Sequence, residues 1–167
     1  MAKVALSKLN LKKEIDPKKI VINDIEIDVY QYVDTAIKTM IVQSAAWGSL
    51  AKNIVDEILL DAYLHVLILE HYTNITLTDK HRENLLSTFD LLQSNGVFEQ
   101  IVAAMPDGEY DYLFNSTLNL AKKINEYNTS LASIFEQLSE SNLNPDFVNN
   151  FKEEVEKLKT LTNGQTA

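Results

Sequence analysis

The sequence predicts a mainly α fold: a single-domain helical bundle of about six helices, opening with a short N-terminal β-hairpin. Three observations predict it. Residues 52–72, KNIVDEILLDAYLHVLILEHY, contain neither Gly nor Pro and keep almost no polar face in their second half. A helix of that kind is covered by neighbours on several sides. Apolar periodicity then changes from two to helical near Tyr32 and stays helical to the end of the chain. The four glycines, at 48, 96, 108 and 164, all fall where a periodic segment stops.

Size and charge set the frame. A chain of 167 residues suits one domain with a substantial core. The absence of cysteine removes disulfides and thiolate metal sites from consideration. The opening MAKVALSKLNLKKE has no continuous apolar segment, so no signal peptide is expected and a cytoplasmic product is the expectation. Net charge is -9, unevenly placed. Lys3, Lys8, Lys12, Lys13, Lys18 and Lys19 oppose only Glu14 and Asp16, so residues 1–19 carry +4 (6 minus 2) and the remainder -13 (-9 minus +4). An acidic body of that sort is a poor nucleic-acid binder, and no nucleic-acid partner is expected.

Residues 1–16 form a basic N-terminal arm with Val4, Leu6, Leu9 and Leu11 set among its lysines. Two readings stand: the lysines solubilise a loose terminus, or the arm reaches an acidic surface, its own or a neighbour's. Residues 17–162 form the helical domain. It opens with a hairpin at about 19–30, where Ile20 and Ile22, then Ile25, Ile27 and Val29, alternate around an Asn23-Asp24 turn. Val33, Ile37, Met40, Ile41 and Ser44 share one face of a first helix that ends near Trp47-Gly48, where Gly48 supplies a left-handed cap. The central helix follows over 52–72. Its Asp56, Glu57, Asp61, His65 and Glu70 break the apolar run well short of the about 18 residues a membrane span needs, so no membrane partner is expected.

Thr78 or Asp79 caps a helix over about 79–93 with Leu85, Leu86, Phe89 and Leu92 as its buried stripe. A short helix carries Val97, Phe98, Ile101, Val102 and Met105, and Pro106-Asp107-Gly108 turns the chain. Residues 107–139 then show a seam at alternating steps of three and four: Tyr110, Phe114, Thr117, Ala121, Ile124, Asn128, Leu131, Phe135 and Leu138. Packing within the domain and pairing with another chain are both open. The scarcity of Leu and Ile on the seam favours packing within. Asn144, Pro145 and Asp146 start a last helix with Phe147, Phe151, Val155, Leu158 and Leu161 on its apolar face. Residues 163–167 are read as a frayed tail.

Few residues suggest chemistry. Glu57, Asp61 and His65 lie at i, i+4 and i+8, one stripe of a helix. A di-metal bundle would need a carboxylate–His pair at i, i+3 repeated on a second helix, which the sequence lacks. His71 and His81 flank a Thr-rich connector with no nucleophile nearby. No phosphate-cradling glycine motif is present, because each glycine is already used at a boundary. The expectation is therefore no catalytic residue, no cofactor and no metal site. The candidate partner-binding residues are Val4, Leu6, Leu9, Leu11 and Trp47, the only tryptophan, which either anchors an interface or lids the core.

A lysine-rich start, then KIVINDIEIDVYQYV, then a helical body containing EHYTNITLTDKHRENLLSTFDLLQSNGVFEQIVAAMPDGEYDYLF, resembles small morphogenesis proteins of tailed phages and prophages of Gram-positive bacteria. A β-hairpin opening an acidic helical body is most similar to their tail assembly chaperones. The resemblance covers most of residues 1–140 and carries no catalytic motif. It implies a non-enzymatic protein of the host cytoplasm that coats the tape-measure protein and recruits tail-tube proteins, with a homo-oligomer possible. The same layout suits a structural head–tail connector or neck component of the virion, bound to virion neighbours. A phage-encoded inhibitor of a host defence protein is a third reading.

Overall fold

The structure, a computed structural model, describes residues 4–11, 15–140, 149–150, 152–154 and 156–157. Among the described residues up to Glu140 the chain is mainly helical, with six α-helices, one 3-10 turn and two small hairpins. The last helix expected from Asn144 has its cap outside the described residues; positions 149–150, 152–154 and 156–157 are helical. Contacts divide the chain into two compact units, Met1–Asn125 and Glu126–Ala167.

In the first unit, Leu6–Leu9 make a 3-10 turn that ends at Asn10 in the left-handed region. β1 (Lys18–Ile22) pairs antiparallel with β2 (Ile25–Val29) in the register Ile22↔Ile25 and Lys18↔Val29. Asn23 and Asp24 both have positive φ, 49° and 63°. That is the mirror-image turn whose twist matches a hairpin, and Asn and Asp tolerate it. Ile20, Ile22 and Val29 turn toward the core, while Val21 and Ile25 are exposed. The hairpin is anchored beyond its own strands. Tyr30 N–H donates to Tyr72 O at 2.8 Å, and Val29 bridges Thr73.

α1 (Thr35–Gly48) buries Ile41, Ala45 and Ala46. Gly48 is its last helical residue and has no positive φ, so the expected left-handed cap is corrected. A Cβ on Gly48 would lie 3.0 Å from the Tyr63 ring, and that close approach is what glycine permits there. The central helix also starts later than expected. Residues 50–55 form a second hairpin, β3 (Leu50–Ala51) and β4 (Ile54–Val55), turned by Lys52 and Asn53 at φ 53° and 68°. α2 (Glu57–Tyr72) begins at the Asp56 cap, whose carboxylate accepts from the Ile58 and Leu59 amides at 2.9 and 3.1 Å.

From Leu59 to Thr73 no residue of the chain is exposed, so α2 is central, as its apolar girth implies. It packs against α1, α4 and α5. The helix expected over 79–93 is two: α3 (Asp79–Glu83) and α4 (Leu85–Ser94), joined at Asn84. Phe89 of α4 is buried, but Leu86 is exposed. Gly96, at φ 63°, leads into α5 (Val97–Val102), which buries Val97, Phe98 and Ile101.

α6 (Glu109–Glu140) is 32 residues long. Within the first unit its Leu113, Thr117, Ala121 and Ile124 are buried, and Ala121 and Ile124 pack with Ala46, Val55 and Leu60. This part of the seam is satisfied inside the unit. The Thr117 interruption is satisfied as well: its hydroxyl donates to Leu113 O at 2.8 Å. Three helices meet at one polar chain at the edge of the core. The fully buried Tyr72 hydroxyl donates to Glu109 Oε1 at 2.5 Å, and Lys38 Nζ pairs with the same oxygen.

Candidate functional site

Two of the concavities on the first unit lie beside α2. The larger, about 470 Å³, is walled by Glu57, Ile58, Leu60, Asp61 and Leu64 of α2 and by Phe114, Thr117 and Leu118 of α6. Its shape follows from local structure. The Asp56 cap fixes the first turn of α2, so positions 57, 61 and 64 run along one flank. Val55 N–H donates to Asn125 Oδ1 at 2.8 Å, which holds β4 against α6. Leu60, Leu64 and Thr117 are buried in the floor. Ile58, 70% exposed, and Ile54 of β4, 62% exposed, stand in solvent. Glu57 and Asp61 supply an acidic wall. An apolar floor edged by charge is the make-up of a protein-binding surface.

The smaller concavity, about 190 Å³, is lined by His65, Phe89, Gln93, Phe98, Glu99, Val102 and Tyr110. His65 is its centre. The ring lies 4.9 Å from Phe98 and 5.6 Å from Tyr110, centroid to centroid. Nδ1 is 3.1 Å from Asp61 Oδ1 and 2.9 Å from Asp61 O, and Nε2 is 3.2 Å from the Tyr110 hydroxyl. With the proton on Nδ1, that nitrogen donates to Asp61 and Nε2 accepts from Tyr110. Burial, with the charges of Asp61 and Asp111, pushes the Tyr110 phenol above its ordinary value. A phenol held protonated is a hydrogen-bond donor rather than a nucleophile. The chain Asp61–His65–Tyr110 therefore orients a core histidine and ties α2 to α6.

The Glu57, Asp61 and His65 stripe is thus divided. Glu57 and Asp61 face the groove, and His65 turns into the aromatic cluster. His81 belongs to a helix cap, its Nδ1 accepting from the Thr78 amide at 3.3 Å. Among the described residues no group of three or more His, Asp or Glu side chains is placed to hold a metal ion. Among them too, no helix is long and apolar enough to cross a membrane.

The residues singled out from the sequence are outward-facing where their side chains are described. Val4 is 70%, Leu9 54% and Leu11 73% exposed, and Leu6 opens the 3-10 turn. Trp47, on the last turn of α1, is 57% exposed and so does not lid the core. The structure does not gather the arm and Trp47 into one site. Sequence reasoning missed the groove itself. Ile54 and Ile58 lie in the apolar run of 52–72 that the pattern reads as one covered helix. The Lys52-Asn53 pair, with Asp56 after it, was the signal that a turn and a helix start intervene. No protein-family model, curated protein or solved structure matches the chain.

Proposed function

We propose that this chain is a non-enzymatic binding protein of tailed-phage assembly, acting as a tail assembly chaperone on the tape-measure and tail-tube proteins in the host cytoplasm. The resemblance in the opening hairpin and acidic helical body supports the reading. The observation that carries it is the surface. Trp47, Ile54 and Ile58 stand exposed on a unit whose core is already closed around α2, and Ile58 borders an acid-walled apolar groove. A contiguous apolar groove that the fold leaves open is suited to a partner. The test is co-expression with the tape-measure protein of the same genome, followed by co-purification and mass spectrometry of finished particles. A chaperone co-purifies with the tape-measure protein and is absent from particles.

A second reading, a structural connector or neck component, draws on α6. Its 32 residues belong partly to one compact unit and partly to the other. Stoichiometric copies in purified particles would favour it over the chaperone. Failure of both tests directs the search to host proteins.

A further inference from the structure

We propose that the α2–α6 groove of one copy takes the basic N-terminal arm of a second copy. Two features of one chain complement each other. The arm lies in the +4 segment and leaves Val4, Leu9 and Leu11 exposed. The groove offers an apolar floor of Leu60, Leu64, Phe114 and Leu118 beside the carboxylates of Glu57 and Asp61. In water the arm's apolar side chains gain nothing. Seated in the groove they are removed from solvent, and Lys8, between the apolar positions, meets the acidic wall.

Dimensions agree. From Glu57 to Leu64 the flank rises about 10 Å at 1.5 Å per residue. From Leu6 to Leu9 a 3-10 turn rises about 6 Å at 2 Å per residue, within that length. The donor is a second copy because Val4, Leu9 and Leu11 of the chain's own arm lie in solvent and do not line its own groove. Exchange between two copies is also self-reinforcing: once one arm is seated, the second enters at high effective concentration. The acidic wall makes this association salt-sensitive.

The chain has no cysteine, which makes the test clean. Leu9→Cys and Ile58→Cys are prepared as separate full-length proteins, mixed and mildly oxidised. Both positions are exposed, so neither variant threatens the fold. The expected result is a mixed disulfide dimer well above that from Leu9→Cys mixed with Leu91→Cys, since exposed Leu91 on α4 does not line the groove. Glu57→Lys, which leaves the Asp61–His65 contact intact, is expected to weaken dimerisation about threefold in low salt, the effect of reversing one surface pair. Equal cross-linking at positions 58 and 91 overturns the proposal. So does a disulfide that forms only within a double Leu9→Cys, Ile58→Cys chain, because the arm then serves its own groove. Unchanged sedimentation after deletion of residues 1–16 also overturns it. The experiment uses this protein alone, so its outcome is independent of the chaperone reading.

Discussion

Tyr72→Phe probes a polar chain that joins three helices. The ring is fully buried and stays so in the variant; only the hydroxyl is lost. That hydroxyl donates to Glu109 Oε1 at 2.5 Å, and Glu109 keeps Lys38 as its remaining partner. A hydrogen bond to a charged group contributes about 1.5–3 kcal/mol. Glu109 retains some access to water, its side chain being 16% exposed, so the lower half of that range, about 2 kcal/mol, applies. For a chain of this size the melting temperature should fall by about 4–8 °C. Burial first, then the bond to Glu109, pushes the Tyr72 phenol well above its ordinary value of 10.0. A raised folded-state value gives stability that is complete below pH 10 and lost as pH climbs above it. Tyr72→Phe should therefore be less stable than wild type at neutral pH, and the gap should narrow above pH 10. Tyr110, also raised, continues to cause alkaline loss in both proteins. The assay is urea unfolding followed by far-ultraviolet circular dichroism, because exposed Trp47 is a weak reporter of the core. A loss under about 0.5 kcal/mol, the scale of a neutral surface substitution, would show that the hydroxyl does not hold α1, α2 and α6 together.

Leu67→Asp should cost several kcal/mol, since Leu67 packs against the core from the most enclosed stretch of α2; a wild-type melting temperature would refute the centrality of that helix. Gly48→Ala should destabilise by about 1–3 kcal/mol despite the helix preference for Ala, because the new Cβ meets the Tyr63 ring. The same change in a Tyr63→Leu background should recover most of that loss, which a pair of unfolding curves would decide. His65→Ala should cost about 2–4 kcal/mol through loss of the Phe89, Phe98 and Tyr110 contacts, yet leave co-purification with a partner unchanged when measured well below the melting point. Loss of binding with an intact fold would reopen the smaller concavity as a functional site.

Much of the fold is written in local patterns. The Asn23-Asp24 turn with alternation on both sides fixed the first hairpin, and the girth of 59–69 fixed the central helix. The seam through Thr117, Ala121 and Ile124 identified the face of α6 that the unit buries. The misreadings share a cause. Ile54 and Val55 are apolar and precede an apolar helix, so the pattern ran them together, although Asp56 marked a cap. Gly48 does end α1, but not through a left-handed cap; its role comes from a ring fifteen positions onward that sequence spacing cannot show. The groove was illegible for the same reason. It arises from two helices meeting, and Ile58 and Leu118 lie sixty positions apart. Trp47 was ambiguous because one tryptophan at a helix end is compatible with both lid and anchor; only its exposure separates them.

The exposed apolar residues have a consequence for how mutations divide. Ile58, Ile54, Trp47, Leu9 and Leu11 lose little on unfolding that the folded state had buried, so truncating them should change stability by no more than about 0.5 kcal/mol. Leu60 and Leu64 of the groove floor, and Ile124 packed in the core beside Leu60, are buried; truncating any of the three to Ala should cost about 2–5 kcal/mol. A surface kept only for solubility would show no binding phenotype in the first set. A docking surface would show it there, with melting temperatures unchanged, and the second set would lose binding only in step with stability. Ile58 and Leu60 make the sharpest pair. They are two residues apart on one helix and border the same groove, one facing solvent and one facing the core. If Ile58→Ala and Leu60→Ala reduce association only in proportion to their effect on folding, the groove is a by-product of helix packing and not a site.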